Sequence, residues 1–396
     1  MNTWLLPDGI TESLPEDAKK QEALRRQLLD LYATWGYRLV MPPLVEYLES
    51  LRAGMGTQLD LQTFKLTDQL NGRMMGVRAD ITPQVARIDA HKLSKGESKA
   101  AVNRLCYIGT VLRTRSAQQG GSRSPVQVGA EIFGHAGVES DYEIISLMLE
   151  TLRSINIDNV ILDMGHIGVA KGVAEHVGLS STQQQRFFDM LARKSIPEIN
   201  EWIETENINA ENSAMLVALP LLNGSTDVIS VAQQKLEAAG TKVQEALTHL
   251  KQICKIVTAN FPDLTLNIDL AEMRGYSYHT GISYAAYLPA RGDAIAYGGR
   301  YDGIGEAFGN NRPAIGFSAD LSVLATLVDD NTTASNETKS IMAPAKTDPK
   351  LNDLINELRS NGEVVIRQLA GQSLDSSVEC DRKIEKSGED WLVVSI

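Results

Sequence analysis

The chain has 396 residues, 43% of them hydrophobic and 22% charged, an ordinary globular composition with room for one large domain and a small one. With 50 acidic against 38 basic residues the formal net charge is −12, which disfavours a large nucleic-acid footprint, because neutralising phosphates takes clustered Lys and Arg. No apolar run reaches membrane-spanning length, the start MNTWLLPDG lacks a basic n-region and a full h-region, and Cys106, Cys254 and Cys380 are scattered and odd in number. The expectation is a protein of the reducing cytoplasm without disulfide framework, metal site or membrane span.

In chain order, Ser13-Leu14-Pro15-Glu16 has the form of a capping box ahead of a helix with Leu24, Leu28, Leu31 and Trp35 on one side and Gly36 at its end. Residues 37–40 form a short strand that must stay at a sheet edge, since Met41-Pro42-Pro43 follows. Residues 64–66 and 74–78 flank a polar turn (Asp68, Asn71, Gly72) and suggest a hairpin. The run RADITPQVAR (78–87) reads as strand, turn and helix start, with Thr82 as N-cap and Pro83 as first helical residue.

Two strands, 106–113 (CYIGTVLR) and 126–133 (VQVGAEIF), are joined by a Gly-, Ser- and Gln-rich loop. In the second, Gln127, Gly129 and Glu131 share a face, with the two polar groups roughly 13 Å apart over a bare patch. That suits a ligand with polar ends, or simply a half-solvated strand face. Residues 141–153 are helical with Ile144, Leu147, Met148 and Leu152 inward; 160–164 is a buried strand, and 165–168 opens another helix. From about 180 to 260 helical periodicity dominates and reads as an insertion, followed by a strand at 264–269.

The stretch MRGYSYHTG (273–281) sets β-formers at Tyr276, Tyr278, Thr280, Ile282 and Tyr284, which predicts a strand headed by Arg274. Gly275, Gly281, Gly298 and Gly299 leave space against the backbone, and an arginine fork over such a floor suits a small carboxylate or phosphate. A surface ion pair on a plain meander fits the same spacing. The polar run 330–339 is the best linker. Residues 340–396 then give strand, helix, strand, a Gly-Gln-Ser turn, a short helix and a final strand, so the expected domains are 1–330 and 340–396. His91, His135, His166, His176 and His249 show no ligand spacing, and ordinary structural roles are expected for them.

RGYSYHTG followed by GGRYDG resembles the paired histidine-specific signatures of histidyl-tRNA synthetases, which are class II synthetases. The helix–strand–Pro order near the start resembles their dimer-forming motif 1, and QVGAEIFG nearly repeats the segment that grips the amino group and imidazole of histidine. The run from Arg78 to Thr82 is similar to their R-x-E-x-T, with Asp80 one methylene shorter. The resemblance implies an α+β fold, an antiparallel sheet flanked by helices and dimerising through residues 20–50, plus a small C-terminal α/β domain like a shortened anticodon-binding domain. It also implies a histidine pocket of Asp80, Thr82, Gln127, Glu131, Arg274 and Tyr278, with His279 where the family has a second tyrosine. Arg274 would pair with the α-carboxylate; Asp80, Thr82 and Gln127 would hold the α-ammonium; Glu131 would accept from the imidazole.

The nucleotide side departs from the synthetases. Arg113 matches the arginine that meets the α-phosphate, but Arg115 stands where the family has an acid, and Ser322 and Val323 where it has Glu and Arg. A valine cannot offset a phosphate charge. A kept amino-acid pocket, a lost ATP pocket and a cut-down C-terminal domain resemble the regulatory subunits of short-form ATP phosphoribosyltransferase, the first enzyme of histidine biosynthesis. That likeness implies a non-catalytic subunit without cofactor, joined as a homodimer to the short catalytic subunit in a hetero-octamer. Such a subunit activates its partner, conveys feedback inhibition by histidine and does not bind tRNA. The alternatives are an active histidyl-tRNA synthetase and a stand-alone histidine-sensing module.

Overall fold

The computed structural model describes residues 4–52, 57–94, 101–116, 121–276, 278–289, 291–328, 340–371 and 380–396. Internal contacts divide the chain into two units, Met1–Asp329 and Asp330–Ile396. The 330–339 linker and the short helix expected after residue 373 lie outside the described residues.

The first unit is built on a nine-stranded sheet. From one edge its order is Arg38–Leu39, Asn103–Thr110, Val126–Phe133, Ala314–Asp320, Ala296–Arg300, Ile282–Tyr287, Ile161–His166, Thr265–Asp269 and Asn223–Gly224. Pairing is antiparallel except between the first two strands and between Ile161–His166 and Thr265–Asp269. The short first strand does sit at the edge, where the prolines that follow cost no ladder bonds. One face is covered by the helices Pro15–Thr34, Val138–Ser154 and Thr241–Asn260, whose Leu24, Leu28, Ile144, Leu147, Met148, Leu250 and Ile253 share a core with Phe317 and Tyr284. On the other face a smaller core gathers Ile81, Val85, Leu105, Tyr107, Phe133 and Tyr301. Between 180 and 260 the helices Ser181–Ala192, Ile196–Thr205, Ala210–Ala218 and Val228–Lys235 precede Thr241–Asn260, so the insertion is helical apart from the two residues that extend the sheet edge.

Several local expectations need correction. Ser13 makes no cap: the first helix begins at Pro15 with Leu14 at the N-cap, and Ser13 Oγ instead accepts from Gln21. Thr82 is the first residue of the helix Thr82–Ile88, and its amide bonds to Asp80 Oδ1 at 3.0 Å. The strand expected from Tyr276 begins only at Ile282. Before it the chain coils, with Gly275 at φ +67° and its carbonyl accepting from the amides of Tyr278 and His279. Alternating β-formers lost to a glycine in the left-handed region and to side-chain contacts with helices outside the sheet.

The second unit has a four-stranded sheet, ordered Val365–Arg367, Ser340–Ala343, Cys380–Ser387 and Asp390–Ser395, under the helix Pro349–Ser360. Ile341, Leu351, Ile355, Ile384 and Trp391 form its core. The strand Cys380–Ser387 was not expected. Ile384 is its one buried residue, and CDRKIEKS is too charged to read as a strand without its hairpin partner.

Candidate amino-acid site

Strand register lays down the floor of the site. Ser283, Gly299, Gly316, Glu131 and Leu105 face one another in a row across five strands, and the next row on the same face holds Ala285, Tyr297, Ser318, Gly129 and Tyr107. The glycines are there for space. A Cβ on Gly316 would lie 1.4 Å from Glu131 Oε2, and one on Gly129 would lie 2.5 Å from the Tyr107 hydroxyl. Glu131, 1% exposed, therefore occupies room that its neighbours lack side chains to fill.

Its carboxyl group meets three hydroxyls. Thr82 and Tyr107 donate to Oε1 at 2.9 and 3.1 Å, and Tyr301 donates to Oε2. A carboxylate has about four acceptor positions, so one is left for a ligand. Burial pushes the Glu131 carboxyl up to about 8; the hydroxyls of Tyr301 and Thr82 pull it down, and the nearby Asp80 adds to the rise.

Above this floor, Asp80 is held by its neighbours. Asp80 Oδ1 accepts from the Thr82 amide and from Gln127 Nε2 at 2.8 Å, while Gln127 Oε1 accepts from the Ile81 amide at 2.9 Å. The coiled segment before Ile282 supplies the opposite wall. There His279, 3% exposed, sits edge-on to Tyr278 at 4.4 Å, with Nδ1 3.1 Å from the Arg274 carbonyl. Lys171, on the helix Ile167–Val177, donates to the His279 carbonyl at 2.8 Å, and Tyr276 reaches Asp189 on the helix Ser181–Ala192. Burial, helped by the charges of Lys171 and Arg274, lowers His279 to about 4.

Asp80, Thr82, Glu131, Tyr278 and His279 thus line one cavity, together with Tyr297, Tyr301 and Gly298, Gly299 and Gly316. Its volume is about 30 Å³. That is space for a water or two.

Two expected residues stand elsewhere. Gln127 opens onto an adjoining cleft of about 160 Å³, and one N–H and one lone pair of its amide are used on Asp80 and Ile81, so that it holds Asp80 in position. Arg274 lines neither space. Its guanidinium donates to the Tyr287 hydroxyl at 3.2 Å and stands 5.3 Å from the centre of the Tyr297 ring, and Tyr297 is the wall shared by cavity and cleft. Burial works against the Arg274 charge, yet Glu272 and Tyr287 outweigh it and leave the pKa above its ordinary value.

The cleft holds Arg113, Arg291, Asp293, Asp320 and Val323. Arg291 is a second cation there that the motifs did not signal, but the two aspartates offset the two arginines. Arg115 is exposed and does not line the cleft.

A sequence profile described as histidyl-tRNA synthetase matches residues 9–324, and one described as ATP phosphoribosyltransferase subunit HisZ C-terminal domain matches residues 338–394. A Thioalkalivibrio sulfidiphilus protein named ATP phosphoribosyltransferase regulatory subunit is 51% identical, over 100% of this chain and 99% of its own length. An Alkalilimnicola ehrlichii protein of the same name is 49% identical, over 99% of this chain and 97% of its own. The chain belongs to the ATP phosphoribosyltransferase regulatory-subunit family. Among solved structures, an ATP phosphoribosyltransferase regulatory subunit/histidyl-tRNA synthetase from Bacillus halodurans superimposes with a TM-score of 0.81 at 25% identity, covering 95% of this chain and 96% of that one. A histidyl-tRNA synthetase from Nostoc sp. gives 0.77 at 19% identity over 100% and 97%, which shows the shared class II fold.

In this regulatory-subunit chain the residues that motif reading missed are Tyr107, Tyr301 and Tyr297 around the cavity and Lys171 behind it. Tyr107 and Tyr301 lie inside the very motifs already quoted, CYIGTVLR and GGRYDG, but only the register shows them converging on Glu131. Two of the histidines given structural roles also meet: His249 Nδ1 is 3.4 Å from His166 Nε2, and His166 Nδ1 caps the helix Ile167–Val177 by accepting from the Gly168 amide. His249 Nε2 lies 2.8 Å from Asp141 Oδ2, at an angle that leaves that oxygen without a hydrogen bond, while Arg300 donates to Asp141 Oδ1.

Proposed function

We propose that this chain is a non-catalytic subunit that activates a short-form ATP phosphoribosyltransferase catalytic subunit and conveys feedback inhibition by histidine bound in the cavity of Asp80, Thr82, Glu131, Tyr278 and His279. The observation that carries the reading is the contrast between the two neighbouring spaces. The cavity keeps a buried acid on a glycine floor, whereas the cleft beside it has Val323 and balanced charges where adenylate chemistry needs a surplus of cations. In the bound state Arg274 swings from Tyr287 to the ligand α-carboxylate as a two-pronged donor. Asp80, kept in place by Gln127, faces the α-ammonium, and Glu131 takes an imidazole N–H. The catalytic partner, a homodimer within a hetero-octamer, a cytoplasmic setting and the absence of tRNA binding belong to the same proposal, as do the domains 1–330 and 340–396.

The test mixes the chain with a candidate short catalytic subunit and follows phosphoribosyl transfer with and without histidine. Co-purification, a higher rate with the chain and a histidine-dependent fall in that rate are expected. A catalytic subunit that runs at the same rate alone refutes the proposal. The second reading, an active histidyl-tRNA synthetase, draws on Arg113 and Arg291 both lining the cleft. Histidine-dependent exchange of pyrophosphate into ATP would establish it instead.

A further inference from the structure

The tautomer of His279 limits what the cavity can bind. A carbonyl oxygen only accepts, so with His279 Nδ1 3.1 Å from the Arg274 carbonyl it is Nδ1 that carries the ring proton. Nε2 is then a bare lone pair. The ring cannot turn freely, because it is packed against Gly275 and Gly299, where an added Cβ would come within 2.9 and 2.7 Å of it. Nor does the second nitrogen pick up a proton near neutral pH. The ring is buried, Lys171 and Arg274 are the charged groups beside it, and together these hold it down to about 4. His279 therefore offers the cavity an acceptor and no donor. Across the same cavity Glu131, with three of its acceptor positions taken by Thr82, Tyr107 and Tyr301, offers one more acceptor.

We infer that the cavity takes the imidazole ring of its ligand in the protonated form, with one ring N–H donated to Glu131 and the other to His279 Nε2. The inference rests on the proposed histidine pocket. It matches charge as well as hydrogen bonds: Asp80, Arg274 and Glu131 are minus, plus and minus, and a histidine with a protonated ring presents plus, minus and plus. Against an ionised Glu131, a neutral ring with one N–H and one lone pair would set that lone pair against a lone pair of Glu131 or of His279, a buried mismatch.

The direct test is nitrogen NMR of ring-15N histidine bound to the full chain at about pH 8, well above the ordinary imidazole pKa of about 6.5. Two protonated ring nitrogens in the bound spectrum are expected; one pyridine-like nitrogen overturns the inference while leaving the pocket intact. If folded protein shows no bound histidine at all, the pocket itself is refuted and the inference with it. A second arm uses 1,2,4-triazolylalanine, of nearly the same shape but not protonated in this range. It should bind on the order of tenfold to a hundredfold more weakly than histidine. In His279→Tyr, whose hydroxyl can donate, that gap should shrink several-fold; equal affinity of the two ligands in the unaltered chain counts against the inference.

Discussion

The cavity around Glu131 and the cleft around Val323 share Tyr297 and Ser318 as a wall, yet they are built to different standards. In the cavity the buried acid has three hydroxyl partners, and Gly316 stands where a Cβ would collide with it. In the cleft two arginines, two aspartates and a valine line one space. Burying an ionisable group is costly unless it is hydrogen-bonded or paired. On the proposed reading, that difference separates sensing an amino acid from activating it.

Five changes test that contrast, from the largest expected effect to the smallest. Gly316→Ala puts a Cβ onto the Glu131 carboxyl and within 2.8 Å of the Ala130 carbonyl. It should cost about 3 kcal/mol of stability and abolish histidine binding, read by denaturant unfolding and calorimetry. An unchanged midpoint would mean that the floor is looser than its register.

Acid supplies the second. His166 and His279 are each lowered to about 4, chiefly by burial, and the ordinary value is about 6.5. The stability each contributes is present above the ordinary value and lost as pH falls through the folded one, on the order of 3 kcal/mol each. Glu131, raised to about 8, works in the opposite sense, since its contribution is fully present below its ordinary value and is lost as pH rises toward 8. Two groups against one leave a net loss between pH about 6.5 and 4.5, and Glu131→Gln should steepen it. A flat stability profile across that window in both proteins would contradict these burial effects.

Glu131→Gln should also weaken histidine binding by about 1–3 kcal/mol and blunt histidine inhibition of the complex while leaving activation largely in place. The smallest effect belongs to the cleft: Arg291→Ala should shift histidine affinity by less than about 0.5 kcal/mol. Val323→Arg alone should yield no adenylate, because Arg115 still stands at the position of the motif 2 acid. A large loss of histidine affinity in Arg291→Ala would erase the distinction between the two spaces.

Much of this was legible in the sequence because period-two patterns are local. Gln127, Gly129 and Glu131 fall on one face of VQVGAEIF whatever the rest of the chain does, and the strand Val126–Phe133 has that register. What was not legible depends on contacts far apart in sequence. The segment from Arg274 to Thr280 alternates like a strand, but Tyr276 packs on Phe188 and bonds to Asp189, and Lys171 pins the His279 carbonyl, so helices decide its path. Gln127 reads as a ligand contact until Asp80 and Ile81 are seen to occupy both ends of its amide. The charged strand Cys380–Ser387 shows the same limit, since it exists through its hairpin with Asp390–Ser395.

One measurement tests the central contrast most directly: calorimetric titration of the folded full chain with histidine and, separately, with Mg-ATP. The account predicts saturable histidine binding that weakens in Glu131→Gln and in Arg274→Ala, and no heat from Mg-ATP beyond dilution. Micromolar Mg-ATP binding with adenylate formed in the presence of histidine, or histidine affinity untouched by both substitutions, would contradict it.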